Sequence, residues 1–419
     1  LLLLIIGSVA VCIRLKTGGP MIGLFFSWII IYLFCKWLKI KYDHVVSGAY
    51  DAIRVVVPTL CLLMAIGVMI GTWLQSGTIA TIIAGGLKLI DPTWLLPLTL
   101  VFCAVLSLVT GTSYGSVGSA GVAMMAIGNA MGINPGMVAG AVICGAMFGD
   151  KLSPLSDTTN LAPAVAGAKL NDHVRSMLWT TLPTFVISLV LFVILGISQT
   201  SGGYEEGNLL VYTEALQGEF KLGLVTLIPA AVIIVLLLCK VNAIVSLGLS
   251  SVCAGAVAFF CQGATLQSII RVAYNGYTTQ IEEAVLKTIL NRGGMSSMLQ
   301  YVAIICFAVG MGGMLDRLGV LDNILRAITG RINSDGGLIF ATLLVGYITS
   351  LISCSQPMSH VLTGNMMKPL FKERKIAPEI LSRSLEDAGT LSGPMIPWHG
   401  YCVYMAGTLG VAWSVFFPY

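Results

Sequence analysis

The sequence predicts an all-α polytopic membrane protein built as two inverted-topology repeats with helical hairpins and broken transmembrane helices. Three observations carry that prediction. Of 419 residues, 56% are hydrophobic and only 10% charged, with a mean hydropathy of +0.90, which leaves too little polar surface to face water. The apolar runs are 15 to 25 residues long, the length of a helix across ~30 Å of hydrocarbon rather than of barrel strands with roughly ten alternating residues. The second half also repeats the signals of the first at a nearly constant separation.

Taken in order, runs bounded by charges and turn residues place helices near 1–13, 20–39, 53–75, 93–110, 114–131, 134–149, 160–168 and 176–198. The segment SGGYEEGNLLVYTEALQGEF then carries four glutamates and no lysine or arginine. It makes 201–221 an extracytoplasmic linker between a first repeat, 1–200, and a second, 222–419. Further runs follow near 222–239, 241–261, 296–315, 337–353, 356–370, 378–390 and 394–410. Residues 74–90 and 319–331 read as short helices lying on the lipid surface. The opening LLLLIIGSVAV lacks a signal-peptide n-region and cleavage site, so it reads as a membrane helix with a missing flank. Helix 176–198 has no counterpart before Tyr419, and the natural chain is expected to continue or to have lost a helix.

The repeat rests on offsets. Gly71 and Gly77 match Gly313 and Gly319 at 242; Ile133 and Pro135 match Ile376 and Pro378 at 243. Pro154 matches Pro394, and Ala166-Gly167 matches Ala406-Gly407, at 240. Lys36, Lys39, Lys41 and Lys368, Lys372, Arg374, Lys375 are the strongest basic clusters and are expected in the cytoplasm. With the linker outside, the pattern closes only if 93–131 and 337–370 are hairpins entering from opposite faces, which inverts the halves.

Several function classes fall away. The net charge of +4 comes from short loops without a long basic run, so no nucleic acid partner is implied. The eleven cysteines lie in apolar runs without CxxC spacing, as small buried hydrophobes rather than zinc ligands. No Ser, Cys and His pattern marks an enzyme, no filter sequence marks a channel, and no cofactor is expected.

Breaking a helix within the bilayer leaves costly backbone groups unpaired, so breaks mark sites. The first half breaks at Thr110–Gly115 and Gly149–Asn160, the second at Ser353–Pro357 and Glu386–Pro394. Freed carbonyls and hydroxyls suit sodium, and half-helix N-termini attract anions. Ser156, Asp157, Thr158, Thr159 and Asn160 form the densest run of oxygens. Asp157, with Thr158 and Thr112, is the expected sodium ligand, although Ser156-Asp157-Thr158 also reads as a helix cap. Asp150 and Lys151 read equally as an internal ion pair, and Glu386 and Asp387 as partners of Arg383. His360 and His399 read first as hydrogen-bonded interior histidines. Gly111 and Gly115, Gly136 and Gly140, and Gly145 and Gly149 are spaced to let helices approach closely.

Through GTSYGSVG, GDKLSPLSDTTNLAPAVAG, GTWLQSGTI, NRGGMSSM and LSRSLEDAGTLSGPMIPW, the chain resembles the NhaC-type sodium/proton antiporter family, whose relatives include malate/lactate sodium exchangers. The likeness covers nearly the whole chain. It implies secondary active transport across a bacterial inner membrane, with sodium and protons as coupling ions and two repeats around a central site. The family's polar positions fall on Thr112 and Ser113, on Asp150, Ser153, Asp157, Thr158 and Asn160, and on Glu386, Asp387 and Thr390. Ser392 adds a hydroxyl to the last break. Two departures stand out: Ser353-Cys354-Ser355-Gln356 replaces an expected TGDQ, and His399 replaces an expected asparagine after Pro-Trp. Losing a carboxylate and gaining an imidazole makes the site less negative, which suits an organic anion or amino acid as an alternative cargo near Thr112, Ser355 and His399. One domain is expected to carry the site past a fixed scaffold, an elevator movement that commonly accompanies a homodimer.

Overall fold

The computed structural model describes residues 1–14, 20–200, 207–320 and 334–419. Among these, every regular element is helical, and six helices are long and apolar enough to cross a membrane, or up to eight if bent pairs count as single spans. The helix Leu170–Thr200 shows why this chain belongs in lipid: only 17% of its most apolar stretch is buried, and Trp179, Val186, Ile187 and Ile194 stand exposed.

Two compact units emerge, each drawing on both halves of the chain. The first contains Leu1–Leu60, Asp157–Trp179 and Gln300–Tyr404. At its centre, Asp335–Ser353 and Gln356–Glu373 form a helical hairpin whose limbs are joined by hydroxyls. Thr349 Oγ1 lies 2.9 Å from Ser359 Oγ and 2.8 Å from Thr363 Oγ1, and Ser359 Oγ donates to the Gly346 carbonyl at 2.9 Å. Asp157–Ala166 and Pro378–Leu385 pack against the second limb.

The second unit contains Cys61–Ser156, Thr180–Leu299 and Met405–Tyr419. Its tightest pair is Pro92–Thr110 with Pro135–Leu152. A Cβ on Gly149 would stand 2.2 Å from the Ala104 carbonyl oxygen, and one on Gly145 2.3 Å from that of Leu100, so only glycine permits this approach. Ser107 Oγ spans the same gap to the Ala146 carbonyl at 2.7 Å.

Several boundaries move. The run 53–75 belongs to a 34-residue helix, Tyr42–Gln75, because its charged first third still forms helix where it need not sit in hydrocarbon. The run 394–410 is not one helix: Pro394 and Pro397 confine it to a short 3₁₀ turn and then Gly400–Leu409. The surface helix expected within 74–90 is Thr78–Leu89, but seven of its twelve residues are buried: Ile79, Ala80, Ile83, Ala84 and Leu87 recur on one face, and the helix packs on Val122–Ala130. Its counterpart at 319–331 lies largely outside the described residues.

Candidate functional site

In the second unit the two breaks of the first half meet. Helix Pro92–Thr110 ends at Gly111, whose φ of 70° is the left-handed cap conformation that glycine adopts freely. A Cβ there would lie 2.6 Å from Leu155 Cβ, so the first break packs directly on the second. Thr112 is extended and caps the next helix, its Oγ1 accepting from the Gly115 N–H at 3.3 Å. That turn delivers Ser113, whose Oγ donates to Asp150 Oδ2 at 2.7 Å. Asp150 and Lys151 occupy the last turn of Pro135–Leu152 and are 6% and 2% exposed. Ser153, fully buried, ends that helix, and its Oγ accepts from the Leu155 N–H at 3.3 Å. Burying a carboxylate costs several kcal/mol unless it is satisfied, and a hydrogen bond to a charged acceptor returns about 1.5–3 kcal/mol. Ser113 and Asp150 are thus bonded directly, with Thr112 and Ser153 near them in sequence at the two breaks.

In the first unit, Asp157 opens the helix Asp157–Ala166, where a carboxylate in the first turn complements the helix dipole. Asp157 and Asn160 are exposed, while Thr158 and Thr159 are buried. Ser156, also buried, is the last residue before the chain passes between units.

The breaks of the second half also converge within the first unit. Cys354 ends its helix at φ 56°, and Ser355 follows in extended conformation, matching the Gly111-Thr112 geometry 243 residues earlier. Gln356 Nε2 donates to the Thr390 carbonyl at 3.0 Å. Glu386–Thr390 is a turn of π-helix, a form frequent at functional sites. Within it, Thr390 Oγ1 donates to the fully buried Glu386 Oε2 at 2.5 Å and lies 3.1 Å from His360 Nε2. A hydroxyl has one hydrogen, so with that hydrogen on Glu386 the His360 Nε2–H must be the donor to Thr390. Asp387 is half-buried beside this group, and Ser392 Oγ donates to the Gly389 carbonyl at 3.3 Å. His399 is 1% exposed, and its Nδ1 accepts from the Tyr401 N–H at 3.0 Å.

Sequence reading missed one buried pair: Ser382 Oγ lies 2.7 Å from His173 Nδ1, with neither residue exposed. The partners are 209 residues apart, and nothing local marks them. It also missed the polar clamp in the second unit, where Glu219 accepts from Tyr277 Oη at 2.6 Å, from Thr279 Oγ1 and from the Gln280 N–H at 3.4 Å.

Comparison with known proteins relates the sequence to antiporters. The sequence profile of the Na+/H+ antiporter family matches residues 21–159 and 145–419. The chain is 36% identical to the Na(+)/H(+) antiporter NhaC of Alkalihalophilus pseudofirmus, over 96% of its own length and 86% of the relative's. It is 35% identical to the malate-2H(+)/Na(+)-lactate antiporter of Bacillus subtilis, over 95% and 85%. Its identity to the arginine/ornithine antiporter ArcD of Halobacterium salinarum is 32%, over 90% and 78%.

Proposed function

The chain belongs to the Na+/H+ antiporter family, and from that membership we propose that it exchanges sodium for protons by alternating access across a bacterial plasma membrane. Among its own residues, the observation that carries the reading is the Ser113–Asp150 hydrogen bond at the meeting of two helix breaks. A buried carboxylate among hydroxyls offers hard oxygens to sodium and one basic site to a proton, so the two ions compete for the same group. Thr112, Ser113 and Ser153 supply the neutral oxygens in that unit. Asp157 with Thr158, Thr159 and Asn160 supplies a second set in the other unit, where the exposed carboxylate is open to exchange. Ser355, Gln356, Asp387, Thr390 and Ser392 complete the proposed ion and substrate positions.

The inverted repeat belongs to the same proposal. It is supported by two 19-residue helices, Pro92–Thr110 and Asp335–Ser353, opened by side-chain caps at Asp91 and Ser334 and closed by left-handed residues. An elevator-like movement and a homodimer remain part of this reading as expectations for assay.

The test is a proteoliposome assay of the purified chain. A sodium gradient is expected to drive an opposite pH change, which disappears when potassium replaces sodium. A pH change indifferent to the cation would overturn the reading.

A further inference from the structure

The two strongest basic clusters of the sequence are used differently in the fold. In the later one, Lys368 Nζ donates to the Val165 carbonyl at 2.9 Å and Arg374 lies 3.5 Å from Asp335 Oδ1, so part of that charge is engaged by the protein itself. In the earlier one, Lys36, Lys39 and Lys41 are exposed, and none of their side chains joins an ion pair or a hydrogen bond among the described residues. Asp43 offsets one of these charges at most, and Asp51 is taken by Arg317 at 2.8 Å.

The surroundings of the three lysines are not those of a hydrated loop. Trp37, Leu38 and Ile40 are interleaved with them and are 75%, 45% and 38% exposed. They also stand where a lipid-facing surface ends. On Pro20–Trp37, Phe26, Ile29, Leu33 and Trp37 recur three or four residues apart, which places them on one helical face, and all four are exposed. Such a stripe on an apolar helix belongs in hydrocarbon. Trp37 closes it with an indole, whose apolar ring and N–H suit the boundary between acyl chains and headgroups.

The turn that carries the lysines is fixed. The Lys39 and Ile40 N–H groups donate to the Lys36 and Cys35 carbonyls at 3.3 and 2.9 Å, and the Tyr32 and Tyr42 rings meet edge-on at 5.1 Å across it. Three ammonium groups are therefore held beside an apolar surface with no protein acceptor of their own. At the edge of a bilayer the acceptors at hand are headgroup phosphates, and negatively charged headgroups are drawn to a basic segment next to a membrane helix.

We propose that Lys36, Lys39 and Lys41, with Trp37, bind the phosphate of an anionic phospholipid in the adjoining leaflet. The lysines supply the charge, and Leu38 and Ile40 meet the upper acyl chain. The inference goes beyond the antiport reading and does not depend on which ions exchange, because its test contains no ion gradient.

The experiment uses the full chain purified in detergent. Thermal unfolding is followed while mixed micelles are titrated with dioleoylphosphatidylglycerol, with dioleoylphosphatidylcholine or with inorganic phosphate. Phosphatidylglycerol should raise the melting temperature saturably, and the other two far less. Lys36→Gln, Lys39→Gln and Lys41→Gln together should raise the half-saturating phosphatidylglycerol roughly tenfold or more, since each juxtamembrane lysine adds its own attraction to an anionic surface. Arginine at the same three positions keeps the charges and should bind as the parent chain does. Lys36→Gln and Lys41→Gln made singly should each show a smaller loss, and they keep the test decisive if the triple variant fails to fold. A control chain with Lys221→Gln, Lys240→Gln and Lys287→Gln loses the same charge elsewhere and should titrate like the parent.

Equal stabilisation by the two lipids overturns the inference, because the headgroup charge would then go unread. Coincident titrations of the parent and the glutamine variants overturn it as well. An equal loss in the control chain reduces the effect to net charge and has the same consequence. Stabilisation by inorganic phosphate matching that by phosphatidylglycerol shows a site for soluble anions and overturns lipid as the occupant.

Discussion

Ser113 Oγ donates to Asp150 Oδ2 at 2.7 Å across 37 residues of sequence, and both side chains are buried. This bond joins the two interrupted helices of the second unit at the level of their breaks. Removing it alone, by Ser113→Ala, deletes one hydrogen bond to a buried charged group and should cost about 1.5–3 kcal/mol. Asp150→Asn should be at least as destabilising, because the neighbouring donors lose a charged acceptor. Thermal unfolding of both variants checks this. A melting temperature unchanged in Ser113→Ala would show that the bond does not hold the breaks together.

Asp157 should respond differently. It is exposed in the first turn of its helix, so Asp157→Asn removes only a dipole interaction and should change stability by less than about 1 kcal/mol. Sodium-dependent flux should nevertheless be lost, because the carboxamide keeps an oxygen but not the charge that draws the cation. Full sodium-driven exchange in a folded Asp157→Asn chain would remove Asp157 from the ion path and leave coupling to Asp150 alone.

Among the described residues, three helices end on a lysine in the left-handed region: Lys39 at φ 58°, Lys240 at 61° and Lys375 at 56°. At the second of these, the Lys240 N–H reaches the Leu237 carbonyl at 2.9 Å and the Val241 N–H the Leu236 carbonyl at 3.0 Å, a bond pattern that glycine usually completes. Lys240→Gly relieves about 1–2 kcal/mol of left-handed strain and forfeits about 0.3–1 kcal/mol of charge–dipole attraction. A small rise in melting temperature is expected. A fall would mean that the lysine charge outweighs its backbone strain.

The four breaks were legible because Gly111, Ser153-Pro154, Cys354-Ser355 and Glu386-Asp387 interrupt apolar runs with turn-forming, polar or charged residues. Their local geometry was less legible: the spacing of Gly111 marks only a close helix approach, whereas residues 111 and 112 form a left-handed end followed by a cap. Which carboxylate lies inside was not legible: the density of oxygens favoured Asp157, whereas the turn at Thr112 and Ser113 satisfies Asp150 instead. Helices Leu266–Asn275 and Ala284–Leu290 escaped because they are too short or too polar to form an apolar run. His173 and Ser382 escaped because their pairing exists only after the helices pack.

The clamp at Glu219 yields a prediction about alkaline stability. Tyr277, in the loop that follows Leu266–Asn275, has its hydroxyl pushed above the usual phenol range by burial, and further by the hydrogen bond to Glu219 and the charge it carries. Below the unfolded value of about 10, both folded and unfolded chains hold this proton, and the clamp's contribution is complete. As pH rises past that point the unfolded chain releases the proton while the folded chain keeps it, so folding stability falls with increasing pH. Tyr277→Phe should therefore show a shallower decline above pH ~10, together with a loss of about 1.5–3 kcal/mol at neutral pH from the missing bond to a carboxylate. Unfolding followed from pH 7 to pH 11 in both proteins, values spanning the phenol range, provides the comparison. Parallel curves would show that Tyr277 ionises alike in the folded and unfolded chain, and that Glu219 does not hold its proton.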